Sequence, residues 1–428
     1  MTISLLLCAA AVKYVFLFIG DGMSVPQRMI ADEFSRKSGN GQLVMNTMPY
    51  TATTRTCSAT SLVTDSAAAA TAIACGEKTY NGAVGVDAKG EPIYSCALAA
   101  HKAGMKVGIA TSVTITHATP AGFYAHRKNR GETAAIAHDL ADSGFELFAG
   151  GGLSVTNEEP YEYIAKRGYK TVTSKKDFLA LKKGCGKVFT RFTNDALGYV
   201  IDGDNGLPTL AQIVEKSIEL LDNDKGFFLM TEGGSVDWAG HGNDAATNLR
   251  EVLALDDAVK VAMAFQKKHP NDTLIVVTGD HETGGMSMGF AGTGYALYMD
   301  RLANQKMSVG TFGHNVRECL RKNPNATFDD IKPLVTDAFG FKFDGDPKQD
   351  PMVLTPEELA DIARAFPKDV ASACRLVMSH KSGIGWSSGC HTAMPVLTTA
   401  AGKKAEMFSG FIENTDISKK LKSLYTAR

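Results

Sequence analysis

Tyr14-Val15-Phe16-Leu17-Phe18-Ile19-Gly20-Asp21-Gly22-Met23 decides the fold. Its first six residues are apolar and rich in β-formers. The run is too short for a helix and has no polar alternation, so it predicts a strand buried on both faces, as in a parallel sheet. The glycines around Asp21 allow a tight loop that presents the carboxylate at the strand tip. The same grammar recurs twice. Gly226-Phe227-Phe228-Leu229-Met230 runs into Thr231-Glu232-Gly233-Gly234, and Thr273-Leu274-Ile275-Val276-Val277-Thr278 runs into Gly279-Asp280-His281. Three apolar strands, at 14–19, 226–230 and 273–278, thus each end in a Gly-associated acid. Their alternation with helical patterns predicts an α/β fold, a doubly wound, mostly parallel central sheet flanked by helices. Ligands bind such sheets at the carboxyl edge, which would gather Asp21, Glu232, Asp237, Asp280 and His281.

The helices read outward from this frame. Val63-Thr64-Asp65-Ser66 leads into Ala67-Ala68-Ala69-Ala70-Thr71-Ala72, an Ala-rich helix with Asp65 or Ser66 as cap and Gly76 as stop. A serine there sits at the positive end of the helix dipole, which suits a phosphate or a developing alkoxide. Thr51 to Ser61 reads as the loop feeding that helix. Helices are expected over Ile93–Ala103 and Glu132–Ser143, with a strand at Lys106–Thr111 between them and a short strand ending at Gly150. Leu249, Val252, Leu255, Val259 and Ala262 share one face of a long helix that ends near Lys267 and Pro270. The Lys-rich span from Leu153 to Ile201 reads as a solvated face. Weaker patterning at about 291–367 predicts an inserted, crown-like subregion that partly covers the site. Gly383 to Thr392 is a glycine-rich loop carrying His391. Ser409 to Thr415 reads as a return loop, and Ile417 to Tyr425 as a closing helix.

The chain has 428 residues and a formal net charge of −1, so its composition suggests no nucleic-acid partner. None of its eight cysteines forms a Cys-x-x-Cys pair, which argues against a thiolate zinc site. Residues 1–12 resemble an export-signal remnant lacking its basic start, or a tail, ahead of one catalytic domain at 13–428. Lys13 interrupts the apolar run, and no segment reads as membrane-spanning. An exported, periplasmic or extracellular location is expected.

Asp237 and His241 are four apart, so on a helical turn they face one way, as in metal sites built across one turn. Asp280-His281 at a strand tip and His391 supply further ligand types. Taken together, Phe18-Ile19-Gly20-Asp21-Gly22-Met23, Thr64-Asp65-Ser66-Ala67, Thr119-Pro120-Ala121 with Arg130, Glu232-Gly233-Gly234-Ser235-Val236-Asp237, Asp280-His281 and His391-Thr392 resemble the motifs of the alkaline phosphatase family, in that family's order. The resemblance implies hydrolysis of small phosphate monoesters through a phosphoserine on Ser66. It implies one zinc held by Asp237, His241 and His391, and a second held by Asp21, Asp280 and His281. A third metal, magnesium, would sit among Asp21, Thr119 and Glu232. Arg130 would grip the substrate phosphate, and a homodimer is the family's usual state.

Two positions depart from the best-known bacterial pattern. His117 stands where many members carry Asp near the third metal, so magnesium should be held weakly. Trp238 stands where many carry Lys or His near the phosphate, so product should leave more easily. His101, His126, His138, His269, His314 and His380 lack metal context and read as surface or packing residues. Asp65 reads as a cap or as an orienter of Arg130. A sister phosphodiesterase, sulfatase or phosphoglycerate mutase shares the metal scaffold. The sulfatase motif Cys-x-Pro-x-Arg is missing around Ser66, and Arg130 favours monoesters. A non-catalytic metal- or phosphate-binding descendant is the remaining alternative, and no expected ligand is missing.

Overall fold

The structure is a computed structural model describing residues 12–425, so the expected export segment lies outside the described residues except for Val12. The strands are β1 (Tyr14–Gly20), β2 (Tyr50–Arg55), β3 (Lys106–Thr111), β4 (Leu147–Ala149), β5 (Lys170–Val172), β6 (Val188–Thr190) and β7 (Phe227–Gly233). They continue with β8 (Thr273–Gly279), β9 (Glu282–Thr283), β10 (Met286–Met288), β11 (Ile384–Trp386), β12 (His391–Thr392), β13 (Val396–Gly402) and β14 (Gly410–Glu413). Among the described residues, ten of these form one sheet in the order β14-β2-β13-β8-β1-β7-β3-β4-β6-β5. Only β13 runs against its neighbours.

The middle of that sheet is what the apolar runs predict. β1, β7 and β8 are buried along their whole lengths. Side chains alternate across a strand. Tyr14, Phe16 and Phe18 therefore join one core with Phe227 and Leu255, while Val15, Leu17 and Ile19 join the other with Ala67 and Ile73. Two cores on opposite faces of one parallel sheet are the doubly wound arrangement. The register is in step: Gly20 of β1 pairs with Gly233 of β7 and Gly279 of β8. The three acid-bearing tips therefore end at one level.

Helix Ser66–Cys75 is buried at every position. Asp65 caps it, its Oδ1 accepting from the Ala68 amide at 2.9 Å, and Gly76 closes it at φ 83°. Alanines let its neighbours approach closely. Helix Asn414–Tyr425 packs alongside, with Ser418 Oγ donating to the Ala74 carbonyl at 2.7 Å. The long helix is Ala245–Lys268, capped by Asp244. Between β10 and β11 the chain passes through helices Val309–Lys322, Phe328–Phe339, Pro356–Ala365 and Val370–Ser382. The span about 291–367 is thus helical, and the helical run continues to Ser382.

Several expectations are corrected. Thr51 to Ser61 is not all loop, because β2 occupies its first half. β-branched threonines suit a strand with one face open to solvent, and only Ala52 and Thr54 of β2 are buried. Ser409 to Thr415 contains β14, an edge strand pairing parallel with β2. The 153–201 span is more than a solvated face: β5 and β6 extend the sheet there, and Phe178 and Phe189 are buried. The helix expected from Ile93 starts at Cys96, where Ser95 caps it. The glycine-rich loop at 383–392 holds β11 and β12.

Phe16 contacts the rings of Phe18, Phe227 and Phe265 within the larger core. Phe16→Ala is expected to cost about 3–5 kcal/mol, the usual range for a buried phenylalanine, read as a lowered denaturant midpoint at fixed metal content. A loss under ~1 kcal/mol would contradict close packing on that face.

Candidate active site

The three strand tips place the acids. Glu232 lies inside β7, Asp21 follows β1 and Asp280 follows β8, and all three are fully buried. Gly22 must turn at φ 71°, and a Cβ there would fall 2.7 Å from Thr283 Oγ1 and 2.9 Å from Asp237 Cα. Only glycine lets the β1 loop lie this close to the helix bearing Asp237. That helix, Ser235–His241, leaves the tip of β7 and presents Asp237 and His241 on one side, with His241 Nε2 3.4 Å from Asp237 Oδ2.

Ligand atoms from Asp237, His281 and His391 lie within 4.8 Å of one another, as do those from Asp21, Asp280 and His281, and those from Asp21, His117 and Glu232. His241 joins the first group, its Nε2 3.2 Å from His391 Nε2. Thr119 Oγ1 donates to Asp21 Oδ2 at 3.1 Å. Ser66, at the start of its helix, lies 3.1 Å by Oγ from His281 Nε2. Arg130 Nη1 lies 3.3 Å from Asp65 Oδ2, and its Nη2 lies 3.2 Å from His117 Nε2. All ten residues expected at the site therefore come to one edge of the sheet. Asp65 fills both roles considered for it, capping Ser66's helix and holding Arg130.

The imidazoles are aimed. His241 Nδ1 faces the Gly389 carbonyl and His391 Nδ1 the Thr64 carbonyl, each at 2.8 Å. Donation to these carbonyls puts the proton on Nδ1 and leaves Nε2 as a lone-pair ligand. Thr283 does the same for His281. Its hydroxyl donates to Asp237 Oδ1 at 2.5 Å, so it accepts from His281 Nδ1 at 3.2 Å. Sequence inspection did not single out Thr283. Its position two residues beyond the expected ligand His281 is the signal that could have found it.

This arrangement is built for cations. His281 Nε2 faces Asp21 Oδ1 at 3.2 Å and Asp280 Oδ2 at 3.3 Å. Those two buried oxygens have no hydrogen-bond partner among the described residues. Lone pairs converging in a dry site are repulsive unless a positive ion lies between them. Mixed nitrogen and oxygen donors at the first two groups suit zinc, and the oxygens of Asp21, Thr119 and Glu232 suit a harder ion. His117 intrudes on that third group, with Nδ1 3.0 Å from Glu232 Oε1 and 3.6 Å from Asp21 Oδ2.

Proton affinities carry the same message. Burial, with Asp21 beside it, pushes Asp280 well above the usual carboxylate range, and burial raises Glu232 as well. For Asp21 burial is outweighed by His281, His117 and His391, which hold its carboxyl below that range. For Asp237 burial and Asp21 act upward, but its hydrogen bond with His391 and the charges of His281 and His241 bring it down. Burial lowers His117 and His391, yet Glu232 and Asp237 respectively carry them above the ordinary imidazole value. The Arg130 contact with His117 exists only while Nε2 is unprotonated.

Of the remaining histidines, His101 lies against Glu146, His126 against the Gly85 carbonyl and His138 against Glu159, while His269 packs on the Phe265 ring and His380 stacks on Phe290.

This edge of a doubly wound sheet, with acids and aimed imidazoles around a capped serine, defines a metal-dependent hydrolase. The family profile described as Alkaline phosphatase matches residues 12–148 and 151–426. Alkaline phosphatase 3 of Bacillus subtilis (strain 168) is 32% identical over 424 residues, covering 95% of this chain and 88% of its own. The crystal structure of a cold-active alkaline phosphatase from a psychrophilic Shewanella sp. superposes with a TM-score of 0.86 at 31% identity, over 96% of this chain and 99% of that one. An alkaline phosphatase from the Antarctic bacterium TAB5, as a variant with one histidine replaced by Glu and magnesium bound in its M3 site, superposes at TM-score 0.70 and 27% identity, covering 97% and 98%. The chain belongs to the alkaline phosphatase family. It is an enzyme, a phosphatase of a metal-dependent family that acts on small phosphate monoesters.

The proton affinities give a pH signature for the metal-free protein. Asp280 and Glu232 keep protons in the folded chain at pH values where the unfolded chain has lost them, so stability falls as pH rises above the ordinary carboxylate range. His117 and His391 act in the same direction above the ordinary imidazole value. Asp21 and Asp237 contribute stability that is lost only as pH falls below the carboxylate range. The metal-free melting temperature should therefore decline from weakly acidic to alkaline pH, and zinc should remove the decline. A metal-free melting temperature that climbs over that interval would refute this charge arrangement.

Proposed function

We propose that this phosphatase transfers the phosphoryl group of a monoester to Ser66 and then to water, with two zinc ions and a third, weakly held metal in the acid–imidazole cluster. The observation that carries the reading is Ser66 Oγ, 2% exposed as a residue and 3.1 Å from His281 Nε2, at the N-terminus of a helix and beside two unpartnered carboxylate oxygens. When bound, the metal ions lower the pKa of the serine hydroxyl and of water and neutralise charge on the transferring group.

The chain's own residues do the rest. Asp237, His241 and His391 hold one ion, and Asp21, Asp280 and His281 hold the other. Arg130, steadied by Asp65, offers its guanidinium fork to two phosphate oxygens, and the amides of the first helical turn face the same charge. Ser66 Oγ attacks phosphorus, the ester alcohol leaves, and a phosphoserine forms; water attacks from the side the alcohol left and restores the hydroxyl. The protein grips phosphate and not alcohol, so specificity is broad. Homodimerisation, the family's usual state, fits the exposed Val25 and Met29 on one face of helix Val25–Lys37.

The test is hydrolysis of p-nitrophenyl phosphate at alkaline pH. Turnover should vanish on chelation, return with zinc, and fall at least 10³-fold in Ser66→Ala, since removing an activated nucleophile leaves only the binding contribution. Cleavage of a diester or sulfate ester in preference to the monoester would move the chain to a sister activity. No turnover on any ester would favour a binding protein.

The third metal site is predicted to exchange readily, because the imidazole of His117 occupies the space between Glu232 and Asp21. In the TAB5 relative, variants with a histidine replaced by Glu or Asp hold magnesium in the M3 site. His117→Asp should accordingly raise magnesium retention through dialysis, measured by elemental analysis. Stoichiometric magnesium in the dialysed wild type would sink the prediction.

A further inference from the structure

His241 is the most exposed of the proposed zinc ligands, its side chain 40% accessible against 11% for His391. Packing therefore does little to hold it, and hydrogen bonds must. Its Nδ1 faces the Gly389 carbonyl, so its aim depends on where the loop before His391 lies. That loop is tied on one side to Gly284, whose carbonyl accepts from the Ser387 and Ser388 amides. On the other side it is tied to Asn243.

Asn243 follows the helix carrying His241 and sits at φ 47°, a left-handed backbone that asparagine tolerates better than most residues. Its side chain is used completely. Nδ2 donates to the Gly240 carbonyl at 3.1 Å and to the Ser388 carbonyl at 2.8 Å. Oδ1 accepts from Arg375 Nη1 at 3.2 Å, and the same Nη1 donates to the Gly242 carbonyl at 2.7 Å. Arg375 comes from helix Val370–Ser382, at the end of the helical run between β10 and β11. One amide thus joins the helix bearing His241, the loop leading to His391 and the helical run.

We propose that Asn243, braced by Arg375, is a positioning residue that holds the 388–389 loop and thereby aims His241 at His391, which the Thr64 carbonyl and the β12–β9 pairing already fix, and so sets the affinity of the first zinc site alone. The proposal rests on the metal assignment above. The second site is anchored differently. Asp21 and Asp280 sit at the tips of β1 and β8, and His281 is oriented by Thr283; among the described residues the Asn243 side chain bonds to Gly240, Ser388 and Arg375 and to none of these. Loss of the tie should let the 387–390 loop drift and leave the strand-tip ligands unmoved.

Metal-free wild type, Asn243→Gly and Arg375→Ala are titrated with zinc against a competing chromogenic chelator, and the metal-free melting temperatures are compared. Glycine keeps the left-handed backbone, and Arg375→Ala leaves that turn untouched. The expected result is two zinc affinities in the wild type. In Asn243→Gly one should weaken by about 10–100-fold, the range for losing an outer partner of a metal-binding histidine, with the other unchanged. Arg375→Ala should show a smaller loss at the same site, the metal-free melting temperatures should match, and excess zinc should restore turnover. Two unchanged affinities in both variants overturn the proposal and leave the metal assignment standing. Both affinities falling together with the metal-free melting temperature also overturn it, because the tie would then be merely structural. Fewer than two zinc ions on the wild type would overturn the metal assignment and this proposal with it.

Discussion

Four carboxylates buried within one cluster are the constraint on which the rest depends. Asp21, Glu232, Asp237 and Asp280 are each no more than 3% exposed, and two of their oxygens have no partner among the described residues. Placing like charges in a dry pocket costs far more than a domain's net stability unless cations or protons compensate. The scaffold is what resists their separation. Two fully buried parallel pairs, β1 with β7 and β1 with β8, are locked in register by apolar residues on both faces. A one-residue slip would turn every side chain of β1 to the opposite core, so the tips cannot move apart to relieve the repulsion.

The same register explains why the serine ends where it does. Helix Ser66–Cys75 has alanine at six of its ten positions, so it lies close to the sheet, and its N-terminus falls at the level of the strand tips. Asp65 then serves two masters. Oδ1 caps the helix through Ala68, while Oδ2 lies within reach of Arg130 and accepts from the Gly82 amide at 3.0 Å. Ser66 and Arg130 are thereby referred to one carboxylate.

What was legible in the sequence follows from which forces write themselves locally. Apolar runs ending in Gly and an acid marked β1, β7 and β8, because full burial leaves no polar residue to confuse the pattern. Helix Ser66–Cys75 was legible from propensity, cap and stop. β2 and β14 were not, since Thr-Ala-Thr-Thr at a half-solvated sheet edge looks like a loop until its partner is known. β5 and β6 were hidden in a Lys-rich span for a related reason: each has only three residues, too few to show a period. The site residues were visible as a family's motif ensemble. Thr283 and Asn243 were not, because a hydroxyl or amide declares its role only when its partners, Asp237 and His281 or Gly240 and Ser388, have been folded against it.

The cluster thus divides into two parts of different stiffness. Asp21, Asp280 and Glu232 belong to strand tips whose positions are fixed by the sheet. His241 belongs to a short helix and His391 to the two-residue strand β12, which pairs with the equally short β9, and a handful of hydrogen bonds joins them at a more open edge. The proposed reaction would benefit from that division. In that proposal the strand-tip end would set the attacking serine and the phosphoryl oxygens, where a displacement of one ångström misaligns an in-line attack. The more open end would receive the departing alcohol and admit leaving groups of many shapes. Placing the most accessible of the proposed ligands, His241, and the indole of Trp238 on the same short helix puts the adaptable surface there, where no strand register has to yield to accommodate it.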